Sequence, residues 1–531
     1  MQQKIQLKLA PLEAFDEYIV KQTIAKNIGK KVEDISGYNI LKKSIDARSR
    51  QVWIRLTVNT FVQEPYRQRI VAEIILKDVT RAKHSVIIIG AGPAGLFAAL
   101  KLMEQGVKPI ILERGKDVRA RRRDLAILNK KGIINPESNY CFGEGGAGAY
   151  SDGKLYTRSN KRGNIDRALN IFVQFGADEK ILYESHPHIG TNKLPQIITA
   201  IREAIVAGGG VFLFEKKVTD FSIEKEIIQS VSTADGDSFS ADAVILATGH
   251  SARDIFELLY KKNIFIEAKP FAMGVRVEHP QALINQIQYH CSLLEIEKNF
   301  LPPASYSLAE QIGNKGVFSF CMCPGGIIAP AATNAEELVV NGWSPSKRNN
   351  PFANSGVVVQ VDMKDAANYF NEIKNQKPKN DALLLMHFQQ HIEQQCFAAG
   401  GGNFAAPAQR LADFCLNKKS SSLPECSYIP GIQPVELNKI LPNFIAKNLQ
   451  ESFKLFGKKM KGYYTNDAVV VATESRTSSP VRIPRDSETL QHVQIKNLYP
   501  CGEGAGYAGG IISAAMDGEN VATKISCFLK S

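Results

Sequence analysis

Gly90-Ala91-Gly92-Pro93-Ala94-Gly95 carries three glycines at the spacing that a pyrophosphate needs. Gly90 permits a tight turn, Gly92 lets backbone approach a phosphate, and Gly95 lets a helix pack closely on a strand. Pro93 and Ala94 begin that helix, whose N-terminus offers free N–H groups and partial positive charge to phosphates. Glu113 stands eighteen residues beyond Gly95, at the end of the next strand, placed to accept hydrogen bonds from an adenosine ribose. Strand, glycines, helix and acid in register point to dinucleotide binding.

Gly143-Glu144-Gly145-Gly146-Ala147-Gly148 repeats the glycine spacing literally, but Pro136 to Tyr140 before it is no buried strand. It is therefore not read as a second nucleotide site, and no nicotinamide module is visible. Gly145, Gly146 and Gly148 instead form a Cβ-free loop suited to lie against a flat ring.

Three further segments favour FAD over NAD. Ala247-Thr248-Gly249 closes a late strand with small residues near the phosphates. Gly502-Glu503 sets a carboxylate where a ribityl hydroxyl can bind. Gly509-Gly510-Ile511 opens a helix whose N-terminus would face the flavin pyrimidine edge, where reduced flavin is negative.

The elements that must hold these residues follow from periodicity. Residues 1–82 alternate as strands around a helix at 14–28, with further strands at 52–58 and 72–76, and read as a small ferredoxin-like α+β module. From His84 the pattern becomes βαβ: Val86 to Ile89 is a continuous apolar strand, Pro93 to Gln105 a helix, and Ile110 to Leu112 the next strand. The expected architecture is α/β. A Rossmann-like FAD-binding domain spans 83–265 and 465–531, and a mixed α+β substrate or lid domain spans 266–464.

Composition sets the bounds. A hydrophobic content of 44% is that of an ordinary globular chain with a sizeable core. The N-terminus has no signal-peptide core and no uninterrupted apolar span is long enough for a membrane, so a cytoplasmic protein without membrane contact is expected. Nine scattered cysteines fit reduced thiols. The net charge of +12 and the small module favour an alternative, a flavin-dependent RNA-modifying protein. The lack of a dense basic stripe or aromatic platform disfavours nucleic acid as a partner.

Taken together, Gly90–Gly95, Glu113, Ala247–Gly249 and Gly502-Glu503 resemble the glutathione-reductase-like FAD flavoproteins. More narrowly, Phe142–Gly148 through Ser151–Leu155, Pro187–Thr191 and Glu474–Arg482 resemble the bacterial FAD-dependent dehydrogenases of unassigned substrate, with similarity over nearly the whole chain. The resemblance implies that Arg121, near Arg114, reaches the FAD phosphates and that Val218 offers backbone to the adenine. It also implies that Ser151 and Asp152 lie near the isoalloxazine. Glu503 replaces the aspartate of broader relatives, and Asn192 stands where an aspartate is expected.

Flavin carries the electron transfer and the protein supplies orientation and protons. The acid–base candidates are His188, Glu144, Asp152 and Glu474, while His250 reads as a structural neighbour of the cofactor. Glu474, Arg476, Arg482 and Arg485 form a charged loop in which Arg476 would clamp a substrate carboxylate or phosphate. Cys321-Met322-Cys323 reads as a buried turn, since CxC suits a disulfide less well than CxxC. His387 and His391 read as a solvated helix face, so no metal is expected. The expected activity is hydride transfer between flavin N5 and a small, anionic substrate, with NAD(P)H docking transiently or a quinone or oxygen accepting electrons.

Overall fold

The computed structural model describes residues 1–157, 163–373 and 381–530. The N-terminal module is β1 (Gln2–Leu9), α1 (Glu17–Ile28), β2 (Ile35–Asp46) and β3 (Trp53–Val62), in an antiparallel sheet of order β1-β3-β2. Ile5, Leu7 and Leu9 share one face because strand side chains alternate, and they bury Val20 and Ile24 of α1. Asp16 caps α1 by accepting from the Tyr18 and Ile19 amides, and Gly29 ends it in the left-handed region. The strand expected at 72–76 does not form. Its Ala72 and Ile74 amides donate to Asn170 Oδ1 (3.1 Å) and Gln174 Oε1 (2.9 Å), side chains on the helix Ile165–Gln174. The module thus has three strands, short of the four that a ferredoxin-like sheet needs.

The second layer system is the parallel sheet anticipated from the βαβ pattern. It contains β4 (Ser85–Ile89), β5 (Lys108–Leu112), β6 (Val211–Leu213) and β7 (Ala243–Leu246), with α2 (Pro93–Glu104) and α3 (Val118–Lys131) between strands. The strand order is Leu498–Pro500, β7, β4, β5, β6. Both faces are covered: Ile88, Ile111 and Ile245 pack with α2, whereas Ile87, Ile89 and Val244 pack toward Phe256 and Leu259. The C-terminal helix Ile511–Lys530 lies against α2 so closely that a Cβ on Gly518 would sit 2.1 Å from the Ala94 carbonyl oxygen. Only glycine permits that approach.

A seven-stranded mixed sheet builds the other wall. Its central strands are β8 (Phe271–Pro280), β9 (Lys315–Cys323), β10 (Phe352–Val361) and β11 (Val469–Glu474). The order is Ala309–Ile312, β9, β10, β8, β11, Ala406–Arg410, Ile432–Pro434. α4 (Leu384–Ala399) carries Leu384, Leu385, Phe388 and Ile392 into this sheet's core. Val469–Glu474, assigned from sequence to the C-terminal part of the FAD-binding domain, pairs instead with β8 and Ala406–Arg410. Its buried Val-Val-Val run completes the second sheet, and the chain returns to the first only afterwards.

Candidate functional site

A cavity of about 310 Å³ opens at the carboxyl ends of β4, β5 and β7, where ligands of open α/β sheets bind. Its lining includes Gly90, Gly92, Pro93, Ala94, Glu113, Arg114, Val218, Ala247, Thr248 and Gly249. Gly90 has φ +105°, and a Cβ there would lie 2.5 Å from the Ala247 carbonyl oxygen. A Cβ on Gly95 would lie 2.0 Å from the Gly90 carbonyl oxygen, so the turn and the helix close on each other only through glycine. No side chain caps the N-terminus of α2, which leaves its first amides for a phosphate.

Glu113 is buried, and it organises as well as lines. Its carboxylate accepts from the amides of Ala91 (2.9 Å), Gly115 (2.8 Å) and Gly143 (3.0 Å). A carboxylate accepts about four such bonds, so one position remains for a ribose hydroxyl. The same contacts tie the two glycine motifs together: the Gly145 amide donates to the Ala91 carbonyl at 2.9 Å, and Gly146 faces Gly92 backbone to backbone. The second motif is a loop laid on the first.

Three expected site residues turn out to be scaffold. The Arg121 guanidinium is fully buried and donates to four backbone carbonyls, those of Asn139, Tyr140, Gly143 and Glu144. It cannot reach a phosphate, because the loop it holds lies between. Glu144, also buried, accepts from the Val118 amide at 2.9 Å and from Arg202 at 2.7 Å, and does not reach the cavity. Gly145 does not line the cavity either; it packs against Ile198.

Gly146, Gly148, Ser151 and Asp152 do line it, opposite Gly502, Glu503, Gly509, Gly510 and Ile511 in the sequence but on the same wall system. Asp152 is buried between two cations: Arg348 Nη2 lies 2.7 Å and Lys154 Nζ 3.8 Å from its Oδ2. Burial opposes its charge, but Lys154 and Arg348 hold it below the usual carboxylate range. Glu503 is the opposite case. Burial pushes its carboxyl up to about 7, with Lys269 acting against the shift.

The charged loop before the C-terminal segment is consumed internally. Arg476 lines the cavity, yet its Nη2 donates to Glu337 and Glu393 at 3.0 Å, its Nε to Glu393 at 3.2 Å and its Nη1 to Thr333 at 2.9 Å. Arg253 joins the same two carboxylates. Burial opposes ionisation of Glu393, but Arg253 and Arg476 bring it down to about 2. Glu474 is buried against Arg276 at 2.7 Å, away from the cavity, and Arg485 pairs with Asp517 at 2.6 Å. His188 lies half-buried with Nε2 3.2 Å from the Ser346 carbonyl, outside the cavity lining, where burial and Arg348 press its pKa down to about 4. Glu474, Glu144 and His188 therefore leave the list of groups that could touch a bound ligand.

Sequence reading missed Lys154 and Arg348. Lys154 sits two positions beyond Asp152 and lines the cavity, donating to the Met322 carbonyl. Arg348 comes from a loop almost 200 residues away, and no local pattern marks it. Cys321 also departs from expectation: it is exposed and lines the cavity, while Cys323 is buried. Among the described residues no cluster of histidine, cysteine or carboxylate side chains could hold a metal, and no helix is long and apolar enough to cross a membrane.

The glycine-closed turn, the uncapped helix start, the spare acceptor on Glu113 and the cavity-lining Glu503 all fit FAD. Comparisons agree on the cofactor. Residues 84–255 match the pyridine nucleotide-disulphide oxidoreductase model, residues 270–477 the model of the FAD-dependent protein C-terminal domain, and residues 1–61 a domain of unknown function. An uncharacterized protein of Clostridium beijerinckii is 40% identical over 530 residues, covering 96% of each chain. Among solved structures, a flavin-dependent brominase is 12% identical, with 84% of this chain and 81% of that chain covered and a TM-score of 0.35. Glycine oxidase from Bacillus cereus is 14% identical, with 84% and 96% covered and a TM-score of 0.30.

Proposed function

From its membership of the glutathione-reductase-like FAD flavoproteins, in one family with the Clostridium protein, we propose that this FAD-dependent oxidoreductase transfers a hydride between flavin N5 and a small anionic substrate. NAD(P)H docks transiently as donor. The adenosine is read at Glu113, Arg114 and Val218, the ribityl chain at Glu503, and the ring against Gly146–Gly148 and Gly509–Ile511. A helix N-terminus at Ile511 then stabilises the negative charge of reduced flavin.

The observation that carries the reading is a second cavity of about 460 Å³ that shares Phe320 and Thr477 with the first. It offers a second reactant access to the cofactor. The anionic preference passes from Arg476, whose donors are all engaged, to Lys154: with Arg348 it gives two cations to the single carboxylate of Asp152. Nine unpaired cysteines support a reducing, cytoplasmic setting.

The test uses benzoate as a probe anion, titrated into FAD-loaded protein and followed through flavin absorbance. The reading expects a saturable perturbation in the wild type and at least tenfold weaker binding in Lys154→Met. A spectrum that benzoate leaves unmoved, or equal affinity in both proteins, contradicts it.

A further inference from the structure

The hydride chemistry leaves unused the two cysteines on β9. Both line the cofactor cavity, although they stand at the end of a sheet strand. The pairing of β9 with β10 slips between Phe320 and Cys323, and Cys321 adopts φ +49°. Residues i and i+2 of a strand share a face, but an extended strand holds their Cα atoms near the outer limit for a disulfide. A left-handed residue at Cys321 folds the segment back and shortens that span. The Cys323 sulfur accordingly lies 3.2 Å from the Cys321 carbonyl oxygen.

Their surroundings are those of a reactive thiol pair. Cys321 is exposed to the cavity and Cys323 buried behind it. Lys154 Nζ lies 3.9 Å from the Cys323 sulfur and donates to the Met322 carbonyl between the two cysteines. A nearby ammonium favours thiolate, the nucleophilic form. Lys154 belongs to the segment that brings Ser151 and Asp152 to the ring end of the proposed FAD pose.

We propose that Cys321 and Cys323 are a redox-active dithiol that exchanges an electron pair with FAD bound in this cavity. When the S–S bond forms, the two thiols lose two electrons and two protons. Oxidised flavin takes both electrons and one proton, and the other proton leaves to solvent. In the reverse direction reduced flavin, replenished by the hydride donor proposed above, returns the pair to its thiols. The inference rests on the FAD-binding reading and extends the hydride-transfer reading.

The test is an anaerobic titration of FAD-loaded protein with dithionite after ferricyanide oxidation. Wild type should consume two equivalents of two-electron reductant before the flavin is fully reduced, and Cys321→Ser and Cys323→Ser one. Thiol counting in denaturant gives a readout independent of flavin: oxidation should lower nine free thiols to seven in wild type and in neither variant remove a pair. Mass analysis of the alkylated wild-type peptide spanning both cysteines should find it two hydrogens lighter and unalkylated, which keeps the test valid if a variant fails to fold. Cys141→Ser, which removes the remaining cavity cysteine, should still lose two thiols on oxidation. One equivalent in wild type with all nine thiols retained overturns the proposal. Failure of nicotinamides to reduce the flavin would instead overturn the hydride donor while leaving a two-equivalent titration standing.

Discussion

Arg476 and Glu393 meet as a buried pair, with the Arg476 Nη2 donating to Glu393 Oε2 and Nε to Glu393 Oε1. Glu337 and Thr333 take the remaining donors, so this guanidinium holds α4 to the loop after β11 and has none to spare for a ligand. Arg476→Ala should therefore destabilise the apoprotein by about 3–5 kcal/mol, the cost of leaving buried carboxylates unpaired. Urea unfolding measures this. Unchanged stability together with weaker binding of an anion would return Arg476 to the substrate site.

The same reasoning separates structure from cofactor contact at Arg121. Lysine cannot span four carbonyls with one ammonium, so Arg121→Lys should lower apoprotein stability by roughly 3 kcal/mol. If the apoprotein is as stable as wild type and only FAD affinity falls, Arg121 touches phosphate after all.

Glycines at the site divide into two kinds. Gly95→Ala forces a Cβ to within 2.0 Å of the Gly90 carbonyl oxygen and should weaken FAD binding at least tenfold, read by flavin fluorescence. Gly509 has nothing within 4 Å of an added Cβ, so Gly509→Ala should leave the apoprotein intact and lose affinity only through the bound ring. Full FAD affinity in both variants would place the cofactor elsewhere.

Glu503 makes stability depend on pH with a defined sign. Its carboxyl rises from an ordinary value of 4.5 to about 7 in the fold, so the folded state holds the proton more tightly than the unfolded chain. That contribution is fully present below pH 4.5 and is lost as the pH climbs through about 7, on the order of 3 kcal/mol in all. Glu503→Gln should flatten this part of the apoprotein stability profile. An identical profile in both proteins contradicts the shift.

What could be read in the sequence was whatever local spacing determines. The Gly90–Gly95 turn, the buried run Val86–Ile89 and the glycines at 502 to 510 announce themselves because backbone conformation and strand burial leave short-range signatures. Partnerships did not. Arg476 and Arg121 look like ligand-binding arginines in sequence, and only the fold reveals the carboxylates and carbonyls that engage them. Glu474 and Glu144 were candidate acids by type, yet a buried arginine and a helix amide claim them. Arg348 became visible only when tertiary packing set it beside Asp152. Val469–Glu474 was misplaced for a similar reason: an apolar run identifies a buried strand without saying which sheet receives it.

The central claim is that FAD in this cavity exchanges a hydride with a reactant that approaches the ring. Its most direct test is anaerobic mixing of FAD-loaded protein with NADH and NADPH, each carrying protium or deuterium at the transferable C4 position. The account predicts that one of the two bleaches the flavin and that deuterium slows the bleaching. Flavin that dithionite reduces but neither nicotinamide bleaches, or bleaching at the same rate with either isotope, would contradict it.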